Sequence, residues 1–216
     1  MSFIREFVRN PRQTGSIAAS SDSVVRMMVD SLDLSSARRV VELGAGTGAV
    51  TEGLRKKLDS RATLIAVELN EQFAEELRRK VSSNGARSGK VHVANRSAAD
   101  LTALLREHRM KNVDVISSGL PWTLMSMDEQ RQTLDAVVKV LADDGQFVTL
   151  ACLHQSVLTQ GRRLRRMLDE RFGQVRRQPV VWAAVPPMFA YFCSEPIRLP
   201  ALTDSSAASK ANGVKR

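Results

Sequence analysis

The sequence predicts an α/β fold whose core is a mostly parallel, doubly wound sheet of seven strands that ends in an antiparallel strand. Short β-branched runs alternate with longer segments of helical period. A glycine-rich turn follows the first of these runs, and two prolines divide the last apolar stretch. Because strands and helices alternate, we expect parallel strands joined by right-handed crossovers.

Length and composition fit one globular domain with a sizeable core. The chain has 216 residues, of which 43% are apolar and 25% are charged. These values exclude a disulfide scaffold, a collagen and a wholly disordered chain. The 32 lysines and arginines exceed the 23 acidic residues and give a net charge of +9, which predicts an anionic partner, either nucleic acid or a membrane surface.

Five segments are predicted as strands followed by helices. The strands cover residues 39–43, 63–69, 91–94, 113–117 and 146–152, and the helices cover residues 50–58, 71–81, 99–108, 128–141 and 156–170. Asn70 fits a helix N-cap, and Ser126 with Glu129 fits a capping box. Residues 175–194, divided by Pro186 and Pro187, predict the terminal hairpin.

The two ends of the chain differ from this alternation. We expect amphipathic helices in residues 1–34, the sheet domain in residues 35–199 and a disordered tail in residues 200–216. In the first helix Phe3, Ile4, Phe7 and Val8 share one face opposite Arg5, Glu6 and Arg9. That helix either packs on the core or lies in a membrane interface. A second helix over residues 22–31 is expected to cover the ligand side of the sheet.

Cysteine use and the start of the chain indicate a cytoplasmic protein. Cys152 and Cys193 both lie in apolar runs, so we expect buried thiols in a reduced compartment. The first dozen residues contain charges that interrupt any signal peptide or membrane span, namely Arg5, Glu6, Arg9 and Arg12.

The strongest motif is a strand that runs through Glu42 and Leu43 into Gly44-Ala45-Gly46-Thr47-Gly48 and then into a helix. Glycines allow a tight turn and close approach of a ligand to the backbone. Glu68 ends the next strand, where its carboxylate can accept both hydroxyls of a ribose. The predicted cofactor-binding set is completed by Leu69, Ser97, Ala98 and Ser117.

The glycine spacing separates two cofactor classes. A dinucleotide site favours G-x-G-x-x-G, whereas this turn reads G-x-G-x-G. Glu42 would repel a phosphate at this position but would pair with an ammonium group. The pattern therefore favours S-adenosylmethionine, with a nicotinamide dinucleotide or a glycine turn of no function as alternatives.

The loop after the fourth predicted strand should border the reacting methyl group. It reads Ser117-Ser118-Gly119-Leu120-Pro121-Trp122, at the sheet edge where ligands bind in doubly wound folds. Trp122 either offers an aromatic face to a cation or is simply packed. Enzymes that methylate the adenine amine place Asn where Gly119 stands, so an aliphatic amine is favoured over a nucleobase.

The sequence resembles the soluble, class I bacterial phospholipid N-methyltransferases. Four blocks carry this resemblance: residues 7–17 with Ser20 and Ser21, residues 41–48, residues 118–122, and residues 181–182 with 186–189. It implies a class I methyltransferase Rossmann-like fold and stepwise methylation of phosphatidylethanolamine towards phosphatidylcholine. It further implies peripheral association with the anionic inner face of the cell membrane, with neither a metal nor nucleic acid as partner.

The resemblance and the residue chemistry together define a candidate site. The catalytic candidates are Ser118, Gly119, Leu120, Pro121, Trp122 and His154, with His154 as a possible proton acceptor. The lipid-binding candidates are Phe3, Phe7, Arg9, Arg12, Thr14, Gly15 and Ser16. The arginines on the helix after the fifth strand are either a lipid-facing cluster or a solvated face: Arg162, Arg163, Arg165, Arg166 and Arg171.

Two departures from the family pattern leave alternatives open. Ser97 stands where many methyltransferases carry an acidic adenine contact, with Asp100 as a helix-start residue, and residues 153–155 lack the expected aromatic. An ornithine lipid N-methyltransferase, an RNA adenine dimethyltransferase and a non-enzymatic membrane-binding module are the rival functions.

Overall fold

A computed structural model describes residues 21–83 and 89–198. The predicted first helix with its lipid-binding candidates, and the predicted tail, lie outside the described residues. The helices are α1 (Asp22–Asp30), α2 (Ala49–Lys57), α3 (Glu71–Ser83), α4 (Leu101–Glu107), α5 (Met127–Val140), α6 (Leu153–Ser156) and α7 (Thr159–Asp169). The strands are β1 (Arg39–Leu43), β2 (Thr63–Glu68), β3 (Lys90–Asn95), β4 (Val113–Ser118), β5 (Leu141–Cys152), β6 (Phe172–Arg177) and β7 (Met188–Pro196).

The strands form one seven-stranded sheet in the order β3-β2-β1-β4-β5-β7-β6. The first five strands are parallel, and β7 runs antiparallel to both β5 and β6. This confirms the predicted α/β sheet with its terminal hairpin. The strand order reverses between β1 and β4, and in open α/β sheets the ligand crevice lies at the carboxyl ends of the strands next to such a reversal.

Helices cover both faces of the sheet. One apolar cluster joins α4, α5 and α7 to the strands, with Phe147 and Phe189 fully buried within it. The opposite cluster joins α1 and α2, through residues such as Met28 and Leu54. A Cβ on Gly53 would lie 2.7 Å from Val25, so α1 and α2 pack very closely. The second helix, predicted over residues 22–31, is confirmed as α1 and ends one residue earlier than predicted.

Local hydrogen bonds fix the helix starts as the sequence predicts. The Phe73 N–H donates to Asn70 Oδ1 at 3.1 Å, which caps α3. The Glu129 N–H donates to Ser126 Oγ at 3.3 Å, and the Ser126 N–H donates to Glu129 Oε2 at 2.8 Å. This reciprocal pair is the capping box of α5.

Two predicted boundaries are wrong. Strand β5 begins at Leu141, directly after α5, instead of at residue 146. The single helix predicted over residues 156–170 is two helices, α6 and α7, because Leu158 between them is extended. The start of α7 packs closely on the end of α6, since a Cβ on Gly161 would lie 2.2 Å from the Gln155 carbonyl oxygen.

Candidate active site

A cavity of about 400 Å³ opens at the carboxyl ends of the strands. One side consists of the glycine loop after β1 and the end of β2, and the other side consists of the loop after β4, the end of β5 and residues of β7. The position is the one that the strand order predicts. We call these two sides the cofactor half and the substrate half.

The glycine loop is held in a conformation that requires glycine. Gly44, Gly46 and Gly48 have φ values of +72°, +54° and +91°, in the left-handed region. The N–H groups of Gly44 and Ala45 both donate to the Val67 carbonyl oxygen, at 2.9 and 3.1 Å. The loop is therefore tied to β2. A Cβ on Gly46 would meet nothing within 4 Å, so a ligand has room to approach the backbone there.

Glu68 lies at the end of β2 with only 8% of its surface exposed. Its Oε2 accepts the Gly46 N–H at 2.7 Å and its Oε1 accepts the Asn70 N–H at 2.8 Å. Burial raises the pKa of this carboxyl, and backbone hydrogen bonds from Asn70, Gly46 and Leu69 oppose that rise. A carboxylate has about four acceptor positions, so Glu68 keeps acceptor capacity for a hydroxyl group in the cavity.

Glu42 at the end of β1 is almost completely buried and also lines the cavity. It accepts the Thr51 hydroxyl at 2.5 Å and a backbone hydrogen bond from the same residue, and burial raises its pKa to about 8. The strand register places Ser117 of β4 beside it, and the Ser117 hydroxyl is buried without a partner. A cationic ligand at this position would satisfy the carboxylate.

The structure decides between the two alternatives for Trp122 in the loop after β4. The residue is only 2% exposed, and its Nε1–H donates to Thr149 Oγ1 at 2.6 Å. Trp122 is thus a packed side chain, although it still lines the cavity. Gly119 fits closely against the glycine loop, since its N–H donates to the Leu43 carbonyl at 2.8 Å and a Cβ would lie 3.1 Å from the Gly44 carbonyl oxygen.

Gln130 of α5 holds this loop in place, and sequence reasoning missed it. Its side chain is 1% exposed, and its Nε2 donates to the carbonyl oxygens of Trp122 and Met125 at 2.6 and 3.0 Å. A glutamine within an amphipathic helix gives no sequence signal for this role. Only the fold brings it beneath the loop.

The end of β5 completes the substrate half. His154 of α6 is exposed and lines the cavity; neither His92 nor His108 does, and those two rings contact each other at 4.8 Å between centroids. Gln155 Oε1 accepts the Thr123 hydroxyl at 2.8 Å, which joins α6 to the loop after β4.

Most of the predicted site residues meet at the cavity. Those that line it are Gly119, Leu120, Pro121, Trp122, His154, Glu42, Gly44, Ala45, Gly46, Thr47, Glu68, Leu69, Ser97 and Ala98. Four predicted residues lie just behind the wall instead: Leu43, Gly48, Ser117 and Ser118. Ser118 Oγ accepts the Leu120 N–H at 3.4 Å, so the geometry gives it a supporting position behind the loop and not a direct one.

Several lining residues were missed because they come from distant parts of the chain. They are mostly apolar and include Met125, Leu150, Leu164, Pro186, Met188 and Tyr191. Tyr191 lies on β7, and burial raises the pKa of its phenol. An apolar residue on a helix or strand looks like core in the sequence, so no local pattern distinguishes these positions.

The predicted arginine cluster does not form one surface. Arg171 is 7% exposed and pairs with Asp135 at 2.7 Å, while Arg165 pairs with Asp169 at 2.8 Å. Arg162 and Arg166 are exposed.

The two predicted buried thiols also differ from each other. Cys193 is buried, whereas Cys152 is half-buried and lines the cavity. Burial raises the pKa of both thiols, so each is a protonated thiol at neutral pH. Among residues 21–83 and 89–198, no group of three or more histidine, cysteine or acidic side chains is placed to hold a metal ion.

Residues 40–145 match a family described as a methyltransferase domain. The chain is 30% identical over 192 residues to an ornithine lipid N-methyltransferase of Singulisphaera acidiphila, which covers 88% of this chain and 93% of the relative. The chain belongs to the S-adenosylmethionine-dependent methyltransferases. The cofactor half must therefore accommodate S-adenosylmethionine.

Solved class I methyltransferase structures share the fold at lower identity. NodS, an N-methyltransferase from Bradyrhizobium japonicum bound to S-adenosylhomocysteine, has a TM-score of 0.66 at 14% identity and covers 91% of this chain and 100% of its own. The O-methyltransferase TomG from Streptomyces achromogenes has a TM-score of 0.65 at 18% identity over 89% of each chain. These likenesses confirm the class I Rossmann-like architecture of this methyltransferase.

The cofactor half fits S-adenosylmethionine. The buried Glu42 faces the cavity beside the unpartnered Ser117 hydroxyl and suits the ammonium of the amino acid head. Glu68 suits the ribose hydroxyls, and the open space at Gly46 admits the ligand to the backbone. Ser97 lines the cavity one turn from the end of β3, where its Oγ accepts the Ala99 N–H at 3.2 Å, and is the candidate neighbour of the adenine.

Proposed function

We propose that this methyltransferase transfers methyl groups to the primary amine of a membrane lipid head group. The observation that carries the proposal is the wall of the substrate half. It is largely apolar, with side chains such as Leu120, Met125, Leu164 and Met188, and it carries Gly119 where a nucleobase amine would need a side-chain acceptor. Such a wall suits an aliphatic amine joined to a lipid better than a planar base.

The bound cofactor supplies an electrophilic methyl group on a sulfonium. The protein's part is to hold the amine in line with that methyl group and to exclude water. Gly119 and Leu120 lie at the seam between the two halves, so they border the line of transfer. The Gln130 bonds keep this seam rigid.

A lipid ammonium must lose a proton before it can attack. His154 is the histidine at the cavity, and its exposed position lets it pass a proton to solvent. We assign it the role of proton acceptor. Replacing it with Gln should lower the transfer rate, because the cavity would then lose the imidazole that accepts the proton of the ammonium group.

Phosphatidylethanolamine and an ornithine lipid are the two candidate substrates. The four sequence blocks support phosphatidylethanolamine, and the similarity to an ornithine lipid N-methyltransferase supports the second. Both present a primary amine near an anionic group. The basic surface suggested by the net charge of +9 would draw the enzyme to the anionic inner leaflet, where either lipid is presented.

The deciding experiment measures transfer of labelled methyl from S-adenosylmethionine by the purified full-length protein. Vesicles containing phosphatidylethanolamine, vesicles containing an ornithine lipid and a structured RNA are offered separately. Label in one lipid fraction, rising with the fraction of anionic lipid, is the expected result. Label in RNA alone would overturn the proposal. The His154→Gln variant should keep cofactor affinity while it loses transfer.

A further inference from the structure

Large apolar side chains are exposed at two segments beside the cavity. Val157 and Leu158, between α6 and α7, are 62% and 52% exposed. Trp182 and Val185, in the loop between β6 and β7, are 71% and 84% exposed. The three other exposed large hydrophobics among the described residues, Leu69, Met127 and Ile197, are less exposed, at 42% to 44%, so these two segments are the main apolar protrusions.

The two segments flank the mouth of the cavity. Ser156 and Gly161, on either side of the first segment, line the cavity, and so does Pro186 next to Val185. The Leu153 N–H donates to the Pro187 carbonyl at 2.9 Å, which ties α6 to the second segment. A surface that touched both segments would therefore lie across the cavity mouth.

Backbone contacts within the loop between β6 and β7 hold the residues at its tip in an exposed position. Ala184, between Trp182 and Val185, is only 2% exposed, and its N–H donates to the Val181 carbonyl at 3.3 Å. Val181 in turn forms a bridge with Met188 at the start of β7. The buried Ala184 anchors the turn while its two apolar neighbours point outward.

The sequence around the first segment is positively charged, and the sequence around the second is uncharged. Residues 157–168 contain four arginines and no acidic residue, and residues 178–194 contain neither acidic nor basic residues. Arg162 is exposed and its Nε donates to the Val157 carbonyl at 2.9 Å, so this cation lies directly behind the first segment. Arg166 is exposed one turn further along α7.

We propose that Val157, Leu158, Trp182 and Val185 form a membrane-contact surface that seats the cavity mouth on an anionic bilayer. This deepens the proposed function and rests on it. Apolar tips enter the boundary between head groups and acyl chains, an indole settles at the head-group level, and arginines contact lipid phosphates. A head group would then enter the cavity without leaving the bilayer.

The two tryptophans of the chain allow a direct test. Trp122 is buried and hydrogen-bonded, so the exposed Trp182 reports on contact. Vesicles of phosphatidylglycerol and phosphatidylcholine, without amine lipid or cofactor, are added to the full-length protein. The emission should shift to shorter wavelength and be quenched by lipids brominated high on the acyl chain. In Trp182→Phe both responses should disappear.

Variants with a charge at the tips should weaken binding. Val185→Asp and Leu158→Asp should each lower vesicle affinity about tenfold in a sedimentation assay. The matched control is Ile197→Asp, because Ile197 is 43% exposed but lies just beyond the far end of β7. Its affinity should stay within about twofold of the wild type.

Two results would overturn the proposal. One is a protein that sediments with vesicles while the Trp182 emission stays unchanged, which would leave attachment to the start of the chain alone. The other is a protein that does not bind these vesicles. If Trp182 responds as expected but no lipid accepts a methyl group, the surface stands and the proposed substrate fails.

Discussion

The cofactor half and the substrate half of the cavity are built differently. The cofactor half is made of backbone in left-handed turns and two buried carboxylates, Glu42 and Glu68, that lie within a continuous stretch of β1 to β2. The substrate half is made largely of apolar side chains drawn from the loop after β4, from β5, from α7 and from β7, with polar residues of α5 beside them. A few buried polar contacts position it. The cofactor half is therefore a fixed site that binds through charge and backbone groups. The substrate half is a cavity whose shape depends on the packing of side chains.

The largest expected effect comes from Glu42. Its pKa is about 8 in the folded protein, above the ordinary 4.5, so the folded state holds a proton that the unfolded state releases. The free energy of unfolding should therefore fall as pH rises from 4.5 to about 8 and then level off. A rise in pKa from 4.5 to about 8, at about 1.36 kcal/mol for each pKa unit, gives a loss on the order of 5 kcal/mol.

The variant Glu42→Gln keeps an acceptor for Thr51 without a titratable group. Urea unfolding should show it nearly as stable as the wild type at pH 5 and more stable at pH 9. The control Glu52→Gln, on the adjoining helix α2 and more exposed, should keep the wild-type slope. Adding S-adenosylhomocysteine should reduce the wild-type loss, because its ammonium group pairs with the ionised carboxylate. Equal slopes in Glu42→Gln and the wild type would contradict the assignment.

The next effect comes from Gln130 and concerns the substrate half. Gln130→Leu leaves the carbonyls of Trp122 and Met125 without their donor, which should cost about 2 kcal/mol of unfolding free energy. The transfer rate should fall further than cofactor affinity, because only the loop after β4 loses its support. Denaturant unfolding and calorimetric titration with S-adenosylhomocysteine measure the two quantities.

Gln132→Leu is the matched control, since Gln132 is an exposed glutamine on the same helix. Its unfolding free energy should stay close to that of the wild type. A loss of cofactor affinity in Gln130→Leu as large as the loss of rate would show that the two halves are not separable.

The two halves also differ in how far the sequence predicts them. Glu42, Glu68 and the glycines of their loop are chemically distinctive and close in sequence, so their place at the cavity could be predicted. Gln130 supports the loop after β4 only through the packing of α5, and Tyr191 reaches the cavity only through the pairing of β7 with β5. No local pattern encodes such contacts.

Individual elements of the fold show the same difference between features that depend on neighbouring residues and features that depend on distant contacts. Strand β1 and the caps at Asn70 and Ser126 depend on neighbouring residues and match the prediction. The break between α6 and α7 depends on how closely Gly161 approaches Gln155, and the burial of Trp122 depends on Thr149 in another strand. The break was predicted wrongly and the environment of Trp122 was left open, since a helical period and an aromatic residue look the same in either environment.

The smallest expected effect lies at Gly119, where the two halves meet. A Cβ there would lie 3.1 Å from the Gly44 carbonyl oxygen, so Gly119→Ala must separate the two loops by a few tenths of an ångström. Its φ is not in the left-handed region, so stability should change little. Because transfer depends on close alignment of donor and acceptor, the rate should fall about tenfold. Single-turnover transfer with saturating cofactor measures this step.

Ser118→Ala provides the comparison at the seam, since it alters the same loop without pressing on Gly44. It should transfer methyl groups at close to the wild-type rate. An unchanged rate in Gly119→Ala would mean that the loops can move apart without cost, and that the transfer line runs elsewhere in the cavity. A loss of cofactor affinity in place of rate would instead assign Gly119 to the cofactor half.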